Sequence, residues 1–236
     1  MTPRPVVLYG ASGTAVAARE FWRAGSLWSS GVPLCEVVGY IDDFRGDDSI
    51  SIDGVPVMTL EKWRKRLPDV PCMIAIGDPH ARRRLVARVK SAGGSFCSVY
   101  DSNGWISPDI TVGEGTMIAP APTYIGPLTT IGNHVMIMHF SVINHNCTIG
   151  DYVVICPSVN VSGQVVIEDE VFIGVGATIV NGSEQKPLRI GRGATVCAGA
   201  VVFRSVAAKT KVAGNPAQDL RSLFANRGRP PRPSAT

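Results

Sequence analysis

Residues 131–179 read IGNHVMIMHFSVINHNCTIGDYVVICPSVNVSGQVVIEDEVFIGVGATI. Ile131, Ile137, Ile143, Ile149, Ile155, Val161, Ile167, Ile173 and Ile179 recur at a constant spacing of six. Four places after each stands Val135, Ser141, Cys147, Val153, Val159, Val165, Val171, Ala177 or Ser183, all small or β-branched. Glycine often follows the aliphatic residue, as at Gly132, Gly150 and Gly174. This is the hexapeptide repeat of a parallel β-helix. Each hexapeptide makes one flat face and one turn, so about three faces close a coil of roughly eighteen residues. The repeated aliphatic side chain points inward and stacks on its equivalents, and the small residue fits the corner. An ordinary antiparallel sheet would need alternation with period two, which the stretch lacks.

The repeat starts earlier, at Ile106, Val112 and Ile118, and slips by one residue before Ile125. The segment Ala119–Tyr124 thus carries one extra residue, read as a local bulge. Asn181–Leu188 interrupts the pattern with polar residues and is expected to leave the helix as a loop; Ile190, Val196 and Val202 resume it. Loops on regular scaffolds often border sites, and equally often are neutral insertions.

Before residues 101–105 the chain has a different character. Val6–Tyr9, Glu36–Ile41 and Cys72–Ile76 read as strands. Thr14–Arg23 reads as a helix. Thr59 is placed to cap a second helix over Leu60–Leu67, with Leu60, Trp63 and Leu67 on one face. Asp78 caps a third, with Pro79 in its first position and Ala81–Lys90 following. Strand–helix alternation of this kind predicts a small parallel α/β, Rossmann-like domain over residues 1–100. The β-helix domain then occupies 101–216. A tail over 217–236 is rich in Arg and Pro, with a short helix at Asp219–Asn226 and a mobile end from Arg227.

Hydrophobic residues make up 45% of the 236, aromatics only 7%, and the formal charge is +4. That charge is too small to argue for nucleic acid. Six scattered cysteines, none in a CxxC pair, argue against a disulfide framework or a zinc site and for a reducing cytoplasm. No signal-peptide core and no apolar run of about twenty residues is present, so no membrane insertion is expected.

His145 stands out among the four histidines, His80, His134, His139 and His145. It lies two residues past the inward Ile143, so its side chain leaves the core. The register is unbroken to Gly163 one coil later, which should stack beside it. A histidine next to a closely approaching backbone N–H suits acyl transfer: imidazole takes a proton from the nucleophile, and the N–H stabilises an oxyanion. A surface histidine beside a turn glycine is the other reading. His134 and His139 sit at positions that do not converge with His145, so no metal site is expected. The stretch Gly10-Ala11-Ser12-Gly13-Thr14 follows a strand and opens a helix, a place where backbone N–H groups could hold phosphate, although it is not a full GxGxxG. Asp42 and Asp43 end the second strand, where carboxylates can meet ribose or base donors or simply form a solvated turn.

Tyr9–Gly13, Ile41–Gly46 (IDDFRG), Ala75–Asp78 with Arg82, Val142–Gly150 and Ala213–Ala217 (AGNPA) together resemble bacterial nucleotide-sugar N-acetyltransferases of the bacillosamine and perosamine type, in the sialic acid O-acetyltransferase-like superfamily. The resemblance implies a left-handed β-helix, a homotrimer, and acetyl-CoA lying in the groove between neighbouring helices. It implies that His145 is the general base, with Asn146 beside it, and that the Gly163 N–H faces the acetyl carbonyl. It places the nucleotide-sugar on Ser12, Gly13, Thr14, Asp42, Asp43 and Gly77, and CoA on Val154, Gly163, Gly174 and Val175. The chain departs from the family pattern at Thr14, where many members have His. It also has Asn144 and Asn146 where an acid often neighbours the base, Val154 in place of a His, and Met138 in place of a polar residue near the acceptor. An acid would hold the imidazole tautomer and raise its basicity; Asn accepts a hydrogen bond without supplying charge. The leading function is therefore acetyl-CoA-dependent N-acetylation of a nucleotide-linked amino sugar of the 4-amino-6-deoxyhexose type, for surface glycan biosynthesis. O-acetylation of a sugar, a non-catalytic β-helix binding module, and a metal-dependent β-helix enzyme are the alternatives.

Overall fold

The structure is a computed structural model and describes residues 3–25, 35–47, 49–100, 105–120 and 122–225. Its N-terminal part runs β1 (Arg4–Tyr9), α1 (Gly13–Gly25), β2 (Cys35–Ile41), β3 (Ser51–Ile52), β4 (Val55–Met58), α2 (Leu60–Arg66), β5 (Cys72–Ile74) and α3 (Pro79–Ser91). The sheet order is β3-β4-β2-β1-β5. β4, β2, β1 and β5 are parallel, and β3 pairs antiparallel with β4. The caps fall where the sequence placed them. Thr59 accepts the Lys62 N–H, and Asp78 accepts that of Ala81 at 2.6 Å with Pro79 next in the chain. The β3–β4 hairpin was not expected. Asp53 (φ 48°) and Gly54 (φ 77°) form its two-residue turn, both in the left-handed region that Asp-Gly favours.

The rest is a left-handed parallel β-helix whose three faces are stacks of two- and three-residue strands. The first face contains Met117–Ile118, Met136–Ile137, Val154–Ile155 and Phe172–Ile173; the second contains Tyr124–Ile125, Val142–Ile143 and Asn160–Val161; the third contains Thr130–Ile131, Thr148–Ile149 and Val165–Ile167. Each strand pairs in parallel with its equivalent one coil on, for example Ile137 with Ile155 and Ile155 with Ile173. The inward aliphatics and the corner residues form one continuous core, with Ile143, Val153, Ile155 and Val171 all fully buried. One residue per corner takes a left-handed φ. Leu128, His134, Phe140, Asn146, Tyr152, Ser158, Gln164 and Glu170 recur at intervals of six with φ between 54° and 62°. The glycines after the inward aliphatics are required by contact. A Cβ on Gly132 or Gly150 would sit 2.5 Å from the carboxylate of Asp151 or Asp169 in the next coil.

The extra residue before Ile125 leaves the strands in register, since Tyr124–Ile125 still pairs with Val142–Ile143. Residue 121, between these strands and the preceding ones, lies outside the described residues. The second interruption does leave the coil. It turns through paired hydrogen bonds between Ser183 and Lys186 and rejoins at Leu188, opposite Val165. The short C-terminal helix spans Leu220–Ala225. The tail from Arg227, expected to be mobile, and most of the 101–105 boundary lie outside the described residues.

The N-terminal sheet packs on the first face of the prism. Val6, Leu8 and Met73 share a buried cluster with Met117, Met136 and Val154. Arg82, fully buried on α3, ties the two parts by donating to the carbonyls of Ile74, Ile76 and His134. Glu170, on the corner between third and first faces, joins His80 (2.7 Å) and Arg83 (3.2 Å) of α3 to Arg192 (3.1 Å). No described helix is long and apolar enough to cross a membrane.

Candidate active site

His145 and Gly163 lie on the corner between the second and third faces, one coil apart. Gln164 N–H donates to the His145 carbonyl at 3.2 Å, which locks the two coils in this register. The imidazole lies against the Gly163 Cα so closely that a Cβ there would sit 2.7 Å from Cε1 and 2.9 Å from Nε2. Only glycine admits this approach. Asn146 Oδ1 is 2.8 Å from His145 Nδ1. With the amide oxygen accepting, Nδ1 carries the proton and Nε2 is left with a free lone pair, the form a general base needs. The ring is exposed, so a substrate can reach it. Among the described residues no acceptor takes the Gly163 N–H. A basic nitrogen on an exposed ring and an unpaired backbone donor on the buried Gly163 beneath it thus meet at one corner.

Ser12, Asp42 and Asp43 gather in a cleft of about 190 Å³ on the N-terminal part, which Tyr9, Gly10, Phe44, Arg45 and Arg88 also line. Both carboxylates are already engaged. Asp42 accepts from the N–H groups of Phe44 (3.0 Å) and Arg45 (3.1 Å) and from Arg45 Nε (3.0 Å). Burial pushes the Asp42 carboxyl up, but these donors outweigh it and hold it below the ordinary carboxylate value. Asp43 accepts from the Tyr9 hydroxyl, from Leu60 N–H (2.9 Å) and from Arg88 (2.7 Å). It too is held low against the opposing effect of burial. The pair therefore builds the cleft wall and holds Arg45 and Arg88 within it. Both arginines, and the fully exposed ring of Phe44, were missed by the sequence reading. Phe44 and Arg45 belong to the IDDFRG stretch; Arg88 comes from α3, far along the chain, and carried no local signal.

The remaining expected residues are spread out. Gly13 opens α1, and Thr14 borders a small apolar notch with Phe21, Trp22, Met138 and His139. Gly77 faces a separate cleft of about 530 Å³ beside Asp78, His80, Glu170 and Lys211. Gly174 packs against the backbone of the next coil, where a Cβ would lie 2.6 Å from Ala198 N. Val175 follows it at the corner between first and second faces, half exposed. Val154 is a correction. It is 1% exposed, under the N-terminal sheet, because it points outward from the first face that this sheet covers. From there it cannot touch CoA. Among the described residues no group of three side chains could hold a metal ion.

A family profile described as "Bacterial transferase hexapeptide (six repeats)" matches residues 128–163. WeeI from Acinetobacter baumannii AYE superposes with a TM-score of 0.76 at 32% identity, over 92% of this chain and 100% of that one. The chain belongs to the hexapeptide-repeat transferases. Within this family the GDP-perosamine N-acetyltransferase of Escherichia coli O157:H7 is 36% identical over 148 residues, 63% of this chain and 66% of that protein. The match to a UDP-3-O-acylglucosamine N-acyltransferase of Methylorubrum extorquens spans only 32% of that relative's length. PerB from Caulobacter crescentus, whose structure is a complex with CoA and GDP-perosamine, has a TM-score of 0.75 at 25% identity, over 91% of this chain and 96% of that one.

Proposed function

We propose that the protein transfers an acetyl group from acetyl-CoA to the free amine of a nucleotide-linked amino sugar of the 4-amino-6-deoxyhexose type, in cytoplasmic steps of surface glycan biosynthesis. The observation that carries this reading is the pairing of His145 Nε2 with the unpaired Gly163 N–H across one corner. His145 takes the proton from the attacking amine as nitrogen bonds to the thioester carbon. Gly163 donates to the oxygen that becomes negative. Asn146 holds the imidazole tautomer throughout and accepts from Nδ1–H as positive charge develops on the ring. As the C–S bond breaks, the CoA thiolate leaves and the proton held by His145 is available to it. Removing an oxyanion donor typically costs about 10²–10³-fold, and losing a general base about 10²–10⁴-fold.

In this reading residues 1–100 hold the nucleotide-sugar, through Ser12, Gly13, Thr14 and the Asp42–Asp43 wall, with Gly77 in the separate cleft that follows Ile76, and residues 101–216 carry the transfer. CoA runs along the prism past Gly163, Gly174 and Val175. Val175 presents an exposed side chain for it to contact, and neither glycine projects a side chain of its own.

A homotrimer fits the layout. The part that carries the nucleotide cleft packs on the first face, whereas His145 lies on the opposite edge, between second and third faces. A sugar held by one chain therefore meets the histidine of a neighbour. Light scattering should give three times the chain mass of 25.1 kDa; a stable monomer at micromolar concentration would remove this part of the reading.

The test of function is acetyl-CoA turnover with UDP-, GDP- and dTDP-4-amino-6-deoxyhexoses. An amide product survives hydroxylamine and an ester does not, which separates amine from hydroxyl acceptors. Absence of turnover with every member of the panel would sink the proposal.

A further inference from the structure

The residue four places after each inward aliphatic is usually a plain hydrocarbon. Val135, Val153, Val159, Val165 and Val171 all stand there, buried. Cys147 takes the same place, 1% exposed, beneath the corner that carries His145 and Gly163. Its thiol donates to the Ser162 carbonyl at 3.3 Å and lies 3.6 Å from the His145 carbonyl. The Ser162 carbonyl belongs to the same peptide unit as the Gly163 N–H. A trans peptide is planar, with C=O and N–H pointing opposite ways. A carbonyl drawn inward onto the thiol therefore turns the N–H outward, away from the core of the prism.

The neighbouring peptides have their own anchors. Ser162 N–H donates to the Ile179 carbonyl, and the Gly163 carbonyl accepts from Gly182 N–H at 3.1 Å. Gly163 itself has no Cβ to restrict rotation between them. We propose that Cys147 is a positioning residue, whose thiol fixes the Ser162–Gly163 peptide so that its N–H serves the oxyanion. This rests on the transfer chemistry proposed above. The reach is a property of the corner: Ser141 donates to the Cys156 carbonyl at 3.0 Å, and Thr129 to that of Asn144 at 3.1 Å. Ser141 lies away from the His145 corner and serves as the internal control.

The test compares Cys147→Val, Cys147→Ser and Ser141→Val in the full-length protein. Valine is the residue of five equivalent corners, so Cys147→Val should fold; thermal unfolding checks this. The expected result is a fall in kcat of about fivefold to tenfold for Cys147→Val, the loss of one modest hydrogen bond felt in the transition state. The KM for acetyl-CoA should not change. Cys147→Ser keeps a donor and should recover most of the rate, and Ser141→Val should keep wild-type kcat. A crystal structure of Cys147→Val should show the Ser162–Gly163 peptide turned. Wild-type kcat in Cys147→Val, or a peptide that has not moved, overturns the inference. So does a Ser141→Val variant that loses as much kcat. If the wild-type protein acetylates no nucleotide-linked amino sugar, the proposed function fails. The peptide orientation in Cys147→Val then decides the inference alone: turned supports it, unmoved overturns it.

Discussion

The imidazole of His145 lies across the Cα of Gly163, close enough that a single methyl on that carbon would fall 2.7 Å from Cε1. Gly163→Ala therefore pushes the ring off its partner without disturbing the buried Val161 and Val165 on either side. The backbone is not what fails, since Gly163 is absent from the positions of left-handed φ. Steady-state kinetics should show kcat reduced by about 10–100-fold, less than the roughly 10²-fold or more for losing a base or an oxyanion donor outright, because the ring is displaced and not removed. The unfolding temperature should stay near wild type. An alanine variant with unchanged kcat would mean that the contact is incidental.

His145→Ala removes the nitrogen and leaves the Gly163 N–H in place. Turnover should fall by about 10²–10⁴-fold, while acetyl-CoA affinity by calorimetry barely changes, because the ring acts on the acceptor's proton. A sugar amine is partly unprotonated near neutral pH and still attacks unaided, so an amine acceptor puts the loss in the lower half of that range. A hydroxyl puts it in the upper half. Wild-type rates across pH of about 6 to 9 would show that the transfer relies on positioning and the Gly163 N–H alone.

The stacking of His145 on Gly163 was legible in the sequence because coil register is set by counting, and an unbroken repeat leaves no freedom in the count. The inward Ile and Val residues were legible for the same reason. Val154 shows the limit. It precedes inward Ile155 and points away from the prism, and the period of six does not say what covers that face; the N-terminal sheet does. Arg88 reaches Asp43 from a helix far along the chain, and nothing local marks it. The β3–β4 hairpin was a different omission. Its Asp53–Gly54 turn, flanked by Ile52 and Val55, is a strong hairpin signal that the strand–helix alternation masked.

His134 predicts an acid-sensitive fold. It is 1% exposed, stacked on Tyr152 at 5.6 Å and meeting Phe96 edge-on at 4.6 Å, with neither ring nitrogen hydrogen-bonded. Burial pulls its pKa down from 6.5 to about 4, with Arg82 and Lys90 adding to the fall and Glu114 and Asp151 opposing it. The folded pKa is below the unfolded one, so the unfolded chain binds the proton first. The contribution is full above the unfolded value and is lost as pH drops toward the folded one. Between pH of about 6.5 and 5 this amounts to about 2 kcal/mol, or roughly 4–8 °C in Tm for a chain of this size. His134→Asn tolerates the left-handed φ of 54° and removes the titration. Its Tm should be lower at neutral pH but should fall less over that interval. Parallel pH profiles of the two proteins would refute the assignment.

Arg82 makes the last case. Its guanidinium is fully buried and divides its N–H groups among three carbonyls: Ile74 at 2.7 Å, Ile76 at 3.0 Å, and His134 at 3.0 and 2.7 Å. Two of these belong to the end of β5 and the loop leading to Gly77, and the third to a β-helix corner, so one side chain spans both parts of the molecule. Lysine keeps the charge but presents its donors from a single point and cannot bridge acceptors on opposite sides. Arg82→Lys should therefore leave at least one buried carbonyl without a donor, at a cost of about 1–3 kcal/mol. It should also free the Ile76–Asp78 loop. Chemical denaturation would report the first effect. Weaker nucleotide-sugar binding with unchanged acetyl-CoA binding, measured by calorimetry on the folded variant, would report the second. If both ligands weaken together, Arg82 acts on the fold as a whole and not through that loop.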